Sequence, residues 1–570
     1  MLYARRIFDK RLLILSFSSL IFYFLILFLL PSLTHRFDAT RHITFNYYIN
    51  QLFLIIPCLP LSLFLFSILP LRRFLNYSSF INKCSIRSYL ISIFLISLVI
   101  TNLISLLYYD HIPQGDAVAT FFQAKIFSRG YLWGFPPKFP DFFLKAMVIN
   151  QGKWFSMVQH GHSLFLTPFI LVRLPWLLSP LLGSFSLIIF FLFLRNCFDE
   201  KIAKEGTLLL LLSPTFLFIA SSYLNQNSSF FLILLSLFFL SLSIKNTNRF
   251  FPLLSGFFTG LAFFSRTTVV VFIPAIIILL FIANKEKRGR MLSFFLIGFL
   301  PAFSIQFIDN LIYSGNVFRF GYILHNELNL HSLGFGMGKG EATFNIPGHT
   351  PLKALINFLY NIFVFSLHLY GWPLLSLLFI PFAFLRWKKN LWDLFAILVI
   401  ISSLIFFALY WFHGISPMGP KYYFEIVPLL VLLTVRGIRK LNIRPLIALL
   451  LIFNIFIYIP YGLRIFNTVW GTNLNCYNEI KEMSIHSAIV FIKDLPGKDE
   501  YERTINRHNY LSVAFRNEPV LSNGDIIYAK DLGKEKNIML INEFKERKPY
   551  IFEYSDKGKR WRVTPYSQFE

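Results

Sequence analysis

Long apolar runs broken by short basic loops dominate the chain. Runs of about 17 or more apolar residues recur along most of it, each long enough to cross a roughly 30 Å hydrocarbon core as a helix. Most of them lack the polar face, repeated at helical spacing, that a soluble helical core would show. About thirteen spans are predicted, near 12–31, 51–70, 89–108, 176–194, 206–222, 227–244, 251–265, 267–283, 291–313, 372–385, 391–411, 422–435 and 445–463. Residues 251–265 and 267–283 are short and read as a broken pair in a hairpin, and 355–371 as a segment along the membrane surface.

The charges between the runs give this pattern an orientation. With the N-terminus, carrying Arg5, Arg6, Lys10 and Arg11, in the cytoplasm, the loops on that side hold Arg72, Arg73, Lys83 and Arg87, then Arg195, Lys201 and Lys204, then Lys245 and Arg249. Lys285, Lys287, Arg288 and Arg290 follow, then Arg386, Lys388 and Lys389, then Arg436, Arg439, Lys440 and Arg444. Every such loop is short and basic, as the positive-inside rule requires, and one span more or fewer in the middle would break the alternation. The first apolar run has no small-x-small cleavage site and reads as an anchor. The expected product is a multi-pass protein of the plasma (inner) membrane with a cytoplasmic N-terminus.

Three long polar segments fall on the opposite side: about 109–160, about 314–354 and 464–570. A transporter would more often keep its loops short and its polar residues near the midplane, within internal repeats, and no convincing repeat is visible. The last segment changes character. "SAIVFIKDLPG", "NGDIIYAKDLG", "NIMLINEF" and "KPYIFEY" are short apolar runs bounded by turn residues and read as strands. They predict an extracytoplasmic α/β domain of about ninety residues within 464–570. The fold class is thus mainly α, a polytopic membrane protein of about thirteen helices with that small domain.

Composition agrees, with 55% hydrophobic and only 15% charged residues, where about a quarter charged is usual in soluble domains. The net charge of +25 would suggest nucleic acid, but its confinement to short loops removes that partner. No pair among Cys58, Cys84, Cys197 and Cys476 has metal-ligand spacing, and only Cys476 falls on the oxidising side, so neither a disulfide nor thiol chemistry is expected.

Four stretches carry candidate chemistry. In "YYDHIPQGDAVATFFQAKIFSRG", Asp110 and Asp116 lie where the chain leaves a span. Asp116 opens a helix whose Val118, Phe121, Phe122 and Ile126 form one apolar stripe suited to the membrane interface. It reads either as an N-cap or as an acid-base group; a capping carboxylate would be a poor base. His160 and His162, in "KWFSMVQHGHSLFLTP", sit at i and i+2 and do not share a helix face, so they suit phosphate or proton transfer better than a metal, or simply face water. Arg266, in "GLAFFSRTTVVVFIPA", must meet an anion or a cavity, or snorkel to the interface. "WFHGISPMGPKYYFEIVPLL" groups His413, Lys421 and Tyr422 ahead of Glu425; it fits a phosphate headgroup or an ordinary aromatic belt. "HSLGFGMGKGEATFNIPGHTP" has no phosphate-loop pattern and reads as a mobile external loop.

In their order these stretches resemble the membrane glycosyltransferases of the GT-C superfamily, which use polyprenyl-phosphate sugars. The likeness is to the bacterial relatives of protein O-mannosyltransferases (family 39) and of the aminoarabinose transferase that acts on lipid A. "QGDAVATFFQAKIFSRG" resembles the family's acidic motif, "SMVQHGHSLFLTP" the segment closing its first external loop, "GLAFFSRTTVVVFIPA" its arginine-bearing span and "GPKYYFEIVPLL" a G-x-R-Y segment with lysine in place of arginine. The likeness covers roughly residues 90–435. Asp116 is followed by Ala117 where the family often has a second acid, and two spans precede the expected first one.

The resemblance implies three regions: 1–88 with two extra N-terminal helices, a GT-C-like core over 89–463 with external loops 109–160 and 314–354, and the domain 464–570. It implies an inverting glycosyltransferase acting at the outer face. Asp116 would be catalytic, with Asp110 a helper. Arg266, Lys421, Tyr422, His160, His162 and His413 would bind the donor phosphate. Partners would be a polyprenyl-phosphate-linked sugar, membrane lipids and an extracytoplasmic acceptor that is lipid, glycan or protein. No cofactor is called for; a divalent metal is left open. A transporter or flippase of a lipid-linked saccharide is the competing class, and would depend on charges deep in the spans; Asp309 and Asp393 are the nearest candidates.

Overall fold

A computed structural model describes residues 43–55, 81–109, 111–113, 115–143, 147–283, 287–324, 333–336, 348–372, 375–384, 390–441, 444–469, 474–493, 510, 512–555 and 560–566. Asp110, Cys58, the expected span near 12–31, most of that near 51–70 and most of the glycine-rich loop lie outside these residues.

The helices follow the apolar runs closely. In chain order they are α1 (Ile43–Ile55), α2 (Ile86–Tyr109), α3 (Asp116–Ser128), α4 (Gly161–Leu171), α5 (Leu178–Cys197), α6 (Glu200–Leu211), α7 (Pro214–Ala220), α8 (Gln226–Lys245), α9 (Phe250–Ser265), α10 (Phe272–Ala283) and α11 (Arg288–Ser314). After them come α12 (Gly321–Leu324), α13 (Pro351–His368), α14 (Leu391–Ala408), α15 (Val427–Leu441), α16 (Arg444–Phe453) and α17 (Ile459–Val469). Several start at side-chain caps written in the sequence. Asp199 accepts from Ile202 N–H, and Ser213 and Thr350 cap helices that carry proline at the first position.

Six helices among the described residues are long and apolar enough to cross a membrane: Ile86–Leu107, Pro175–Cys197, Gln226–Lys245, Arg288–Ser314, Leu391–Ala408 and Leu446–Arg464. A seventh results if α6 and α7, bent by 63°, form one broken span where 206–222 was expected to be continuous. On α2 the exposed side chains Ile91, Leu95, Val99, Leu103 and Leu106 form an apolar stripe, a surface that suits hydrocarbon rather than water. The expected span 372–385 is instead two short 3-10 turns, Ser376–Phe379 and Pro381–Phe384, with Gly371 at φ 60° before them and Pro381 within; such residues break a helix. Of the stretch 355–371, expected along the membrane surface, residues 355–368 belong to α13, which buries Lys353, Asn357, Asn361 and His368.

Two cores result. One fills the helix bundle, drawing chiefly on α5, α6, α8 and α15. The other joins α3 and the segment 142–158 to residues from 476 onward. Those C-terminal residues form helix α18 (Asn475–Glu482), helix α19 (Lys534–Glu543) and a four-stranded sheet. After a small hairpin of β1 (Val148–Asn150) with β2 (Trp154–Ser156), and another of β3 (Ile415–Ser416) with β4 (Gly419–Pro420), its strands are β5 (Ala488–Ile492), β6 (Ile526–Lys530), β7 (Lys548–Ser555) and β8 (Arg560–Pro565). The order is β6-β5-β7-β8, parallel except for the β7–β8 pair. "NIMLINEF", expected as a strand, lies largely in α19: Asn537, Leu540 and Ile541 are buried at i, i+3 and i+4, a helical stripe too short to be told from a strand by eye.

The helices α9 and α11 pack backbone to backbone. A Cβ on Gly298 would come 2.0 Å from the Leu253 carbonyl oxygen, and one on Gly256 2.0 Å from that of Phe295. The backbones therefore touch with no room for a side chain, as small residues permit between membrane helices. Gly298→Ala is expected to overpack this contact and destabilise the protein by ~1–3 kcal/mol, read as a lower melting temperature in detergent with expression retained.

Candidate active site

Asp116 stands at the first position of α3, not at its cap. The N-cap is Gly115, whose φ of 54° and ψ of −125° suit glycine, and no side chain caps the helix. The carboxylate is thus free to point away from the helix backbone. It meets Lys421, with Nζ donating to Oδ2 at 2.9 Å, and keeps 28% of its side chain exposed. Burial alone would raise its pKa; the Lys421 ammonium, by charge and hydrogen bond, and then the Arg266 guanidinium, by charge, hold it below the usual carboxylate range.

The helix itself differs from the expected interfacial one. Thr120 and Gln123, polar residues outside the stripe of Val118, Phe121, Phe122 and Ile126, are also buried. The reason is that α3 is covered on both sides, by α4 and by C-terminal residues. Ser163 Oγ donates to the Thr120 carbonyl at 3.0 Å, and Gln123 Oε1 accepts from Ser156 N–H at 3.1 Å. From the other side Lys125 Nζ reaches Glu518 at 3.0 Å and donates to the carbonyls of Arg516 and Asn517. Phe121 packs edge-on to Phe515, ring centroids 5.1 Å apart.

Lys421 leaves the β3–β4 hairpin directly. Tyr48 OH donates to the Ser416 carbonyl at 2.6 Å, His413 Nδ1 accepts from Ile415 N–H at 2.9 Å, and Asn361 of α13 donates to the His413 carbonyl at 2.9 Å. Arg266 sits at the break between α9 and the 3-10 turn Thr267–Val271, its backbone extended at φ −162°. Its guanidinium is 5% exposed and faces Glu425, 4% exposed, with Nη1 at 2.8 and 2.7 Å from the two carboxylate oxygens. Ser229 Oγ donates to the same carboxylate at 2.5 Å. The anion that a buried Arg266 needs is therefore supplied by the chain. The Tyr422 ring lies beneath both cations, 5.7 Å from the Arg266 guanidinium carbon and 6.0 Å from Lys421 Nζ.

The structure thus brings together Asp116, Lys421, Tyr422 and Arg266, and adds Glu425 as well as Tyr322 of α12. Burial pushes the Tyr322 hydroxyl pKa up, and the neighbouring Asp116 carboxylate pushes it the same way. The three histidines make other contacts. His160 Nδ1 lies 2.9 Å from Asp309 and its Nε2 3.1 Å from the Ser156 carbonyl. His162 Nδ1 meets Ser228 Oγ at 3.1 Å, and His413 serves the hairpin. Asp309 is thus bound near the α11 C-terminus, while Asp393 pairs with Arg436 of α15 at the opposite end of the bundle. Tyr322 carried no sequence signal, because it follows a polar segment of no periodicity. Glu425 stood in plain view beside Lys421, but nothing in the sequence pairs it with a residue 159 positions away. Among the described residues no three His, Cys, Asp or Glu side chains converge as a metal site.

Comparison with known proteins places the fold. A structure of ArnT from Cupriavidus metallidurans bound to undecaprenyl phosphate superposes with a TM-score of 0.51 at 9% identity, over 82% of this chain and 94% of that one. The fold is that of this ArnT structure. The apo form of the same ArnT gives a TM-score of 0.50 at 10% identity, over 82% and 93% of the two chains. The archaeal oligosaccharyltransferase AglB from Archaeoglobus fulgidus gives 0.43 at 11% identity, over 85% of this chain and 75% of that one. The family model of dolichyl-phosphate-mannose-protein mannosyltransferases matches residues 155–309, the stretch holding His160, His162, Arg266 and Asp309. No curated protein matches the chain.

A buried ion pair is costly to break from one side. Arg266→Ala and Glu425→Gln are each expected to destabilise the fold by ~3–5 kcal/mol, because each leaves an uncompensated charge or an unfilled partner. The double variant is expected to lose less than the two single losses added together, measured as a double-mutant cycle of thermal unfolding.

Proposed function

We propose that the chain transfers a sugar from a polyprenyl-phosphate donor to an acceptor at the outer face of the membrane, with inversion at the anomeric carbon. The observation that carries this reading is the Asp116–Lys421 pair at the partly open start of α3, with the Arg266 guanidinium and the Tyr422 ring beside it. Such a group holds an ionised carboxylate and two cations within one small volume. Asp116 takes the proton of an acceptor hydroxyl or amine, or orients that group for attack on the anomeric carbon. Lys421 and Arg266 stabilise the phosphate that leaves with the lipid, and Tyr422 backs both cations. Because the leaving group carries its own phosphate, no nucleotide site is needed.

The ArnT structure that shares this fold holds undecaprenyl phosphate, which makes a polyprenyl phosphate the donor class to test first. The charge pairing also fits. Lys421, tied to Asp116, can turn to a donor phosphate and leave the carboxylate free for the acceptor. A flippase would place its essential charges within the spans. Asp309 and Asp393 are both engaged by partners near bundle ends, which favours the transferase.

Asp116→Asn keeps the shape of the side chain and removes its charge. It is expected to lower transfer by about 10²–10⁴-fold with abundance retained, measured with a polyprenyl-phosphate sugar and by mass spectrometry of surface lipids and glycoproteins. Unaltered surface glycan would reject Asp116 as the base. The pH dependence follows from its lowered pKa. The ionised form persists as pH falls below the usual carboxylate range, so the acid limb of kcat/KM lies low. Lys421→Met removes the main stabilising charge and leaves burial, so the limb is expected to move to higher pH.

A further inference from the structure

A hollow beside the last turns of α11 takes no part in the chemistry above. It is bounded by the segment 155–160, by α11 and by α12. Its polar lining includes Ser156, His160, Gln306, Asp309, Asn310 and Arg319. Its free volume is about 20 Å³, room for a group the size of a water molecule. α12 separates the hollow from the proposed centre. Gly321 and Leu324 line the hollow, while Tyr322 between them neighbours Asp116. A Cβ on Gly321 would come 2.4 Å from the Met157 carbonyl oxygen, so α12 seats closely on the segment that carries His160.

The hydrogen bonds around the hollow leave acceptors over. Asn310 Nδ2 donates to the Val317 carbonyl at 2.8 Å. A carbonyl only accepts, which fixes this amide and makes Asn310 Oδ1 an acceptor. Gln306 Nε2 donates to that oxygen at 2.9 Å, so Gln306 Oε1 is the end left over. Gln306 is 2% exposed, and its Oε1 is buried without a hydrogen-bond partner. Such an oxygen is costly to leave unpaired. A second acceptor lies nearly one turn further along α11. His160 engages Asp309 Oδ1, and among the described residues no group engages Oδ2. His160 has no donor to spare, because its other ring nitrogen meets the Ser156 carbonyl.

We propose that this hollow is a subsite for one hydroxyl group of a saccharide, on the sugar unit bound next to Asp116. Free acceptor oxygens demand a hydrogen-bond donor, which a neutral hydroxyl supplies and a phosphate or carboxylate does not. A ring is too large to enter, so it stays at the mouth, where Phe320 offers an apolar face and the exposed Arg319 adds donors. α12 keeps this hydroxyl away from Asp116, so it anchors the sugar and is not the group that reacts. A buried oxygen that rewards a hydroxyl also rejects the ligand that lacks it. The subsite rests on the transferase reading for the sugar's role in turnover, and not for the binding itself.

The test is saturation-transfer difference NMR on the purified full-length protein with the methyl glycosides of mannose, glucose, galactose and arabinose. The wild type is compared with Gln306→Met, which keeps the length of the side chain and removes the unpaired oxygen. Gln51→Met makes the same change at a buried glutamine of α1, outside the hollow. At least one glycoside is expected to bind the wild type and Gln51→Met alike, and Gln306→Met about fivefold more weakly. No glycoside binding by the wild type overturns the subsite and leaves water as the occupant. Equal affinity in all three proteins, or an equal loss in Gln51→Met, overturns it as well. Should Gln306→Met fail to fold, Leu324→Trp fills the hollow from α12; lost glycoside binding upholds the subsite and unchanged binding overturns it. Native mass spectrometry with undecaprenyl phosphate, bare or carrying the sugar whose glycoside binds, separates the two sources. If the hollow holds the donor's sugar, Gln306→Met loses the preference for the glycosylated lipid. If it holds the acceptor's, that preference stays and the glycoside binds the wild type together with undecaprenyl phosphate. Asp116→Asn is expected to bind glycosides as the wild type does. Undiminished transfer by Asp116→Asn would therefore count against the proposed base and leave the subsite standing.

Discussion

A guanidinium placed among apolar helices has to find an anion within reach, and Arg266 finds Glu425. That constraint organises the site. It joins the break after α9 to the 3-10 turn that opens α15, and so fixes two distant parts of the chain against each other. Lys421 lies four residues before Glu425 and is carried into place by the same turn. Its ammonium then draws the carboxylate of Asp116, and the charges alternate in sign along Lys421, Asp116, Arg266 and Glu425. Each charge lowers the desolvation penalty of its neighbour, so the group is stable as a set although each member would be costly alone.

The helix that presents Asp116 depends on a different kind of support. α3 has too little apolar length to be a span and too much buried surface to be a loop. It is held between α4, whose Leu166 belongs to the bundle core, and the C-terminal residues of the second core. The sheet of β5 to β8 is therefore no appendage to the membrane bundle. Phe515 and Glu518 contact the same helix whose first residue is Asp116, so the position of that carboxylate is set partly by residues some four hundred positions later.

Charge separation along the bundle gives the molecule two unlike ends. At one end carboxylates and cations are matched closely, in a setting partly open to solvent. At the other, the parallel starts of α9 and α11 gather basic residues with no carboxylate partner among the described residues for Arg249 or Arg290. Both helices run the full distance between these ends, and their glycine contact makes them one rigid pair.

The sequence by itself determined the membrane class, because long apolar runs and basic loops are local properties that need no partner. It also located Asp116, Arg266, Lys421 and Tyr422, since a charged residue or a phenol beside an apolar run is conspicuous wherever the chain later goes. Short elements were less legible. The turns within 372–385 and the helix α19 were misread because a few apolar residues suit more than one period. Only the tertiary structure decided what the charges meet: Glu425 for Arg266, Lys421 for Asp116, Asp309 for His160. Pairings of this kind join residues 149 to 305 positions apart and leave no periodic trace in the chain. The tertiary structure likewise decided that Thr120 and Gln123 are buried, because the surface that covers them is contributed by residues far along the chain.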